Sequence, residues 1–417
     1  MRELFGTDGI RGTAGQYPLD RPTTFAIGVA LAQWIGTNHL NPEVVIGMDT
    51  RESGSWIAEH VAGGLAQGGV RARHAGLIST PGLAFVAKTG PFAAGIMISA
   101  SHNPYQDNGV KIFDHSGFKL PDQQEHVLEG HIFGWTQLGK AFTPQPLAVD
   151  ESLDRTYIEH LAGTLPEGLA GMRIVADTAN GAASYLAPAM FERLGAEVDC
   201  IHNTPDGKNI NLNCGALHVE ALQKRVVERG ATLGVAFDGD ADRAMFVSPS
   251  GKIVDGDGVL LLAARWLQAK RGLTEVVSTV MSNLGLERAL ARHGIGMVRT
   301  PVGDKYVLEE MIRREALLGG EQSGHIIFRE YATTGDGLLT ALRVCEVMRA
   351  SGRSLEDMAS VKDEIRRMET EFGDAGRVVV RFSGTEPLAR VMVEGPKLDR
   401  VQYFAESIAA AIRSELG

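Results

Sequence analysis

Short apolar runs alternate along the chain with segments whose apolar positions recur every three to four residues, which predicts strands interleaved with amphipathic helices. From Glu43, "EVVIGMDTRESGSWIAEHVAGGLAQGG" reads as a strand, a polar loop and a helix that stops at Gly68-Gly69. From Met172, "MRIVADTANGAASYLAPAMFERLGAEV" repeats the plan and stops at Gly195. From Glu275, "EVVSTVMSNLGLERALARHGIGMVRT" does so again. Units of one kind in series predict an α/β protein made of three related α/β modules. The C-terminal part differs, with strands in "RVVVRFSG" and "ARVMVEG" flanked by helical patterns, and predicts a smaller α+β unit. Pro144 and Pro146 in "GKAFTPQPLAVDESLD" mark a boundary near residue 150. The loop at Ser250-Gly251 and the stretch "SGRSLEDMAS" mark two more. The expected units are therefore 1–150, 151–250, 251–357 and 358–417.

Composition narrows the partners. A hydrophobic share of 44% and a charged share of 22% are those of a globular chain with apolar cores. The net charge of −10 argues against a nucleic-acid partner, which demands a basic face. It leaves room for a small anion, because a few arginines can dominate the field locally. Cys200, Cys214 and Cys345 stand far apart without metal spacing, which predicts a reducing, cytoplasmic setting. The start, "MRELFGTDGIRG", has no apolar core of a signal peptide, and no long apolar run predicts a membrane span. Nothing in the sequence reports the oligomeric state.

Candidate chemistry gathers in a few loops. In "ISASHNPYQDNGVKIF" an apolar run ends at Ser101 and His102, with Lys111 further on. Neighbours in an extended segment point to opposite sides, so His102 is not expected to serve as a base for Ser101. From this stretch alone, Ser101 reads slightly better as a satisfied turn serine than as a reactive one. "AFDGDADRAMF" places Asp238, Asp240 and Asp242 at alternate positions after an apolar strand, so their carboxylates are expected to converge. Three close anions call for a cation, and an all-oxygen set suits Mg2+ or Ca2+. Arg243 and Pro249 stand where a calcium-binding EF-hand loop needs Gly and Glu, which leaves Mg2+ ahead. "RFSGTEPLAR" offers Arg381, Ser383, Gly384 and Thr385 to an anion. "GGEQSGHIIF" contributes Glu321, Ser323 and His325, either as hydroxyl readers or as an ordinary turn. "FGTDGIRGTAG" brings Asp8 and Arg11 into a glycine-rich loop. Neither the P-loop nor the dinucleotide fingerprint occurs. A serine able to carry a phosphate, a cation site, a separate anion anchor and a sugar reader together fit phosphoryl transfer.

Taken in order, "FGTDGIRG", "ISASHNP…DNGVK", "AFDGDADR", "GGEQSGH" and "RFSGTEP" resemble the α-D-phosphohexomutase family over nearly the whole chain, and most closely its bacterial branch acting on glucosamine phosphates. The resemblance implies four domains around a central cleft, with the small C-terminal unit as a lid. It implies phosphorylation of Ser101, and one Mg2+ held by Asp238, Asp240 and Asp242 with an oxygen of the phosphoserine. Arg243 would then lie beside that phosphate, and Arg11 and Lys111 would line the reacting centre. Lys111 and His325 would be the proton-transfer candidates. Glu321 and Ser323 would grip sugar hydroxyls in a loop region shared with Asp304 and Lys305. Arg381, Ser383, Gly384 and Thr385 would hold the phosphate that does not react. The implied reaction interconverts glucosamine 6-phosphate and glucosamine 1-phosphate through a hexosamine or hexose 1,6-bisphosphate, towards UDP-N-acetylglucosamine. The chain departs from the family pattern in two places: the stretch after "SLED" is short, and Lys305 stands where arginine is usual. Rival readings are a mutase for another hexose, a phosphatase using the aspartates, and a catalytically silent sugar-phosphate sensor.

Overall fold

A computed structural model describes residues 3–6, 8–355, 377–382, 389–395, 398, 401–403 and 405–406 of the chain. The first unit holds β1 (Phe5–Gly6), β2 (Gly9–Thr13), β3 (Glu43–Met48), β4 (Arg71–Leu77), β5 (Ala94–Ile98) and β6 (Asp107–Asp114). Helices α1 (Arg21–Thr37), α2 (Gly54–Gln67), α3 (Thr80–Thr89) and α4 (Asp122–Thr136) pack on them. The sheet order is β1-β2-β6-β5-β3-β4.

The second unit opens with α5 (Ser152–Gly163) and builds β7 (Arg173–Asp177), β8 (Glu197–Ile201), β9 (Leu233–Phe237), β10 (Ala244–Val247) and β11 (Ile253–Val254), with α6 (Ala183–Arg193) and α7 (Glu220–Arg229). Its order is β11-β10-β9-β7-β8. The β10–β11 hairpin pairs Phe246 with Val254 around the turn at Ser250-Gly251. That turn, read from the sequence as a division between units, lies inside the second sheet, which runs on to Val254.

The third unit comprises β12 (Glu275–Thr279), β13 (Gly296–Thr300), β14 (Leu318–Gly320) and β15 (Ile326–Phe328), in the order β13-β12-β14-β15. Its helices are α8 (Gly256–Arg271), α9 (Leu284–Arg292), α10 (Asp304–Arg314) and α11 (Gly337–Ser351). Near the C-terminus β16 (Arg377–Phe382) and β17 (Ala389–Glu394) form an antiparallel pair. The shortened stretch after "SLED" lies outside the described residues, as do Ser383, Gly384 and Thr385.

The three larger sheets share one plan. Each has a parallel trio, β4-β3-β5, β8-β7-β9 or β13-β12-β14, extended on one side by an antiparallel strand, β6, β10 or β15. The reversal needs no crossover helix, so a short loop lies at the carboxyl end of the parallel strands, where open α/β sheets bind ligands. These loops hold Ser99–Gln106, Asp238–Arg243 and Glu321–His325. The three sequence motifs thus occupy one topological position in three modules.

Packing joins the second and third units. A single apolar core runs through the second and third units and joins Phe237 and Phe246 to Leu318 and Ile326. The first unit encloses its own, centred on Phe25, Leu31, Ile46 and Ile96. There α1 and α2 cross closely at two glycines: a Cβ on Gly28 would lie 2.1 Å from Val61 O, and one on Gly64 would lie 2.1 Å from Phe25 O. Among the described residues no helix is long and apolar enough to cross a membrane.

Candidate active site

The loop after β5 is irregular where its chemistry is concentrated. Ser101 has φ +51, in the left-handed region that serine rarely adopts, and is 1% exposed. Its Oγ donates to Asp238 Oδ2 at 2.6 Å, across the junction between the first two units. The Oγ–Nδ1 distance to His102 is 3.4 Å. Burial first, and then Arg243 and Arg11, push the His102 imidazole down to about 3, so the ring stays neutral. Extended-strand alternation does not describe this segment: the chain turns at Ser101, and the hydroxyl donates to Asp238 rather than to His102.

Asp238, Asp240 and Asp242 converge, each offering an oxygen within 4.8 Å of the others, and all three are buried. Strand β9 has ended at Phe237, and Ala241 has φ +55, so a turn rather than strand alternation gathers them. Burial first, then Asp242 and Asp240, push the Asp238 carboxyl well above the ordinary carboxylate range. Burial alone would also raise Asp242, but His325, Lys111 and Arg243 hold it below that range. Asp240 Oδ1 and Asp242 Oδ1 are buried and accept no hydrogen bond among the described residues. Unmatched lone pairs on clustered carboxylates are the donor set a hard divalent cation takes, so these residues fit Mg2+. A second group, Asp177, His202 and Cys214, is closed by different means. There His202 Nδ1 lies 2.9 Å from Asp177 Oδ2, and burial beside Asp177 pushes the Cys214 thiol up to about 12.

Cations surround the carboxylates. Lys111 rises from β6, 1% exposed, with Nζ 2.9 Å from Asp240 Oδ2, 3.1 Å from Asp8 Oδ2 and 3.9 Å from Asp242 Oδ2. Burial would lower its pKa, yet Asp240, Asp8 and Asp242 carry it above the ordinary lysine value. Thr80 Oγ1, at the start of α3, donates to Asp240 Oδ2 at 2.5 Å. Arg11 on β2 pairs with Asp8 and donates to Ala100 O at 3.2 Å. Burial would raise the Asp8 carboxyl, but Lys111, Lys119 and Arg11 hold it well below the carboxylate range.

The third loop faces this cluster. His325 Nδ1 lies 3.5 Å from Asp242 Oδ2, and its Nε2 accepts the Gly335 N–H at 3.0 Å. That backbone bond puts the imidazole proton on the Nδ1 side, towards Asp242. Glu321 Oε1 accepts the Gly303 N–H at 3.2 Å, while Ser323 is exposed beside it. Asp304 opens α10 and pairs with Lys119, which also pairs with Asp8. Lys305 pairs with Asp122 of the first unit.

Family models match the chain in series. Those for phosphoglucomutase/phosphomannomutase alpha/beta/alpha domains I, II and III match residues 2–138, 155–251 and 255–364, and that for the C-terminal domain matches 339–411. The phosphoglucosamine mutase of Solibacter usitatus is 57% identical, covering 100% of this chain and 99% of its own. The chain belongs to the α-D-phosphohexomutase family.

Within the family its homology is to bacterial phosphoglucosamine mutases; that of Koribacter versatilis is 47% identical, covering 100% of this chain and 98% of its own. The Solibacter alignment spans 443 positions against the 417 residues here, so this phosphohexomutase lacks residues that its relative has. A phosphoglucomutase/phosphomannomutase family protein from Burkholderia thailandensis shares the fold, with TM-score 0.82 at 22% identity over 99% of this chain and 97% of that one.

The phosphohexomutase brings together Ser101, Asp238, Asp240, Asp242, Arg243, Lys111, Arg11 and His325, with Asp304 and Glu321 at the edge. Lys305 is turned towards Asp122, and Arg381 lies on β16. Sequence reasoning singled out Asp8 in the glycine-rich loop without giving it a role, and missed Lys119 and Thr80 altogether. A carboxylate between glycines and Arg11 was the available signal for Asp8; Lys119 and Thr80 carried none.

Proposed function

We propose that this protein interconverts glucosamine 6-phosphate and glucosamine 1-phosphate through a phosphoserine at Ser101 and a 1,6-bisphosphate intermediate. The observation that carries the reading is the Ser101 hydroxyl, buried and 2.6 Å from Asp238 inside a carboxylate cluster with unmatched oxygens. The high identity to phosphoglucosamine mutases supports the amino sugar.

Asp238, Asp240 and Asp242 would hold one Mg2+, with a phosphoserine oxygen completing the set. Bound there, the ion supplies positive charge against the phosphoryl oxygens. Arg11 and Arg243 border the volume in which the phosphate would lie. In the forward step the phosphoserine O–P bond breaks and a bond forms from phosphorus to the free sugar oxygen. The sugar hydroxyl loses its proton and the serine oxygen gains one. Lys111, held charged by its neighbours, fits the proton donor to the departing serine oxygen. His325, with Nε2 engaged by Gly335, fits an orienting role on Asp242. Glu321 and Ser323 would meet sugar hydroxyls, with Asp304 and Lys305 at the margin. Arg381, Ser383, Gly384 and Thr385 would anchor the idle phosphate, so that binding energy remote from the chemistry orients the reacting oxygen. After the intermediate turns around, its other phosphate returns to Ser101.

Turnover of glucosamine 6-phosphate, glucose 6-phosphate and mannose 6-phosphate, each with Mg2+ and a trace of hexose 1,6-bisphosphate, tests the reading. A clear preference for the amino sugar is expected. Preference for another hexose would overturn the substrate, and a Ser101→Ala variant with full turnover would overturn the mechanism.

A further inference from the structure

The carbonyls of Ser101 and Asn103 are each held from two sides. Arg51 Nη2 donates to Ser101 O at 2.9 Å and to Asn103 O at 2.8 Å. Asn211 Nδ2, from the second unit, donates to the same two carbonyls at 2.8 and 3.1 Å. Each nitrogen carries two hydrogens and gives one to each oxygen, and each oxygen has two lone pairs, so the set is closed.

The rest of the guanidinium is equally committed. Its Nε donates to Asp49 Oδ2 at 2.9 Å, and Nη1 donates to Asp107 O at 2.9 Å and to Pro104 O. The Arg51 and Asp49 side chains are wholly buried. Asp49 Oδ2 also accepts from Ser99 Oγ at 2.6 Å, and Ser99 Oγ accepts the Ser101 N–H at 2.9 Å. The second unit also presses on the loop through Gly239, where a Cβ would lie 2.4 Å from Ser101 O. None of the Arg51 and Asn211 bonds involves Ser101 Oγ. They act on the peptide groups that follow it, while Ser99 Oγ holds the N–H of Ser101 itself, where φ is +51.

We propose that Arg51 and Asn211 are positioning residues that buckle the phosphoserine loop and set the direction in which Ser101 Oγ leaves the backbone. Half of the buckle belongs to the second unit, which also carries the three aspartates, so the serine is aligned only where those carboxylates are docked. The inference rests on the reading of Ser101 as a phosphoryl carrier.

Asn211 has φ +59, which glycine tolerates, so Asn211→Gly removes the amide without straining the backbone. Asn211→Asp keeps the shape but turns an acceptor towards two carbonyls. Arg51→Lys keeps the charge against Asp49 but has too few donors for the four carbonyls and the carboxylate. For the full-length protein with Mg2+, Asn211→Gly, which loses both hydrogen bonds, is expected to lower kcat about tenfold or more, and Asn211→Asp, which loses both and sets a carboxylate against the carbonyls, about a hundredfold. KM should stay within about twofold, because both side chains are committed to backbone carbonyls of the serine loop. The rate at which hexose 1,6-bisphosphate phosphorylates Ser101, read by intact mass, should fall by the same factors with the melting temperature nearly unchanged. Loading and turnover at the wild-type rate in both Asn211 variants, or losses confined to KM, would overturn the buckle while leaving the mutase reading standing. A wild-type protein that never loads Ser101 would overturn both.

Discussion

Lys111 is the cation on which the buried carboxylates depend, and replacing it with methionine isolates its charge. Methionine keeps the length and apolar stem of the side chain, so packing on β6 is largely preserved. At an effective dielectric near 20, a unit charge about 3 Å away contributes roughly 5 kcal/mol of gross attraction. Lys111 has two such neighbours in Asp240 and Asp8, and Asp242 lies further off at 3.9 Å. Desolvation of the ammonium, and repulsion from Arg11, cancel much of that. What remains is the cost of leaving buried carboxylates without their partner, about 3–5 kcal/mol. For a unit of this size it corresponds to a fall on the order of 10 °C in Tm. Calorimetric melting of Lys111→Met in EDTA and in Mg2+ reads it directly. The fall should be larger in EDTA, because a divalent cation replaces the missing charge, and turnover in Mg2+ should drop about a hundredfold or more. A variant melting within about 2 °C of the parent in EDTA would refute the ionic cluster as described.

The remaining predictions address other layers of the structure. Asp257 is buried at the start of α8 with Oδ2 on the Asn283 N–H at 2.7 Å, and burial, then Asp255, push its carboxyl up to about 7. Between an ordinary value near 4 and that one, the unfolded chain ionises while the folded chain keeps its proton, so the parent loses stability as pH rises through the window. Asp257→Asn should therefore gain relative to the parent from pH 4 to pH 8, by about 1–3 kcal/mol in denaturant melts, and a pH-independent difference would refute the shift. Gly64→Ala drives a methyl into Phe25 O and should cost about 1–3 kcal/mol or more; a neutral outcome in thermal melting would mean that α1 and α2 cross less closely. Chelation should stop turnover and added Mg2+ restore it, with Asp240→Asn weakening Mg2+ binding in calorimetry; activity surviving EDTA would remove the ion from the reaction.

Periodicity was a good guide to elements in which a strand is followed directly by a helix. The strand from Glu43 and the helix ending at Gly68 correspond to β3 and α2, and the second and third repeats to β7 with α6 and β12 with α9. Helix α1 is buried almost all round, so no amphipathic stripe announces it. The carboxylates could be found because three acids in five residues are rare after an apolar strand, yet strand alternation was the wrong reason for their meeting. Local rules see side-chain direction only in regular backbone, and the chain turns at Ala241 and at Ser101. Lys119, Arg51 and Asn211 stayed hidden for another cause. Partners that reveal them lie 50 to 185 residues away, brought close by the fold of the first module for Arg51 and by the packing of separate modules for Asn211 and for Lys119 with Asp304.

The shared position of the three loops also imposes an order in time. Chains are made from the N-terminus, and their domains fold as units as they emerge. Ser101 belongs to the first unit to appear, its carboxylate partners to the second, and His325 to the third. A nascent chain can therefore build the sheet that carries the serine loop before the second unit supplies Asn211 and the carboxylates that face it. The serine is made first, and the side chains that face it are in place only when the second and third units have folded.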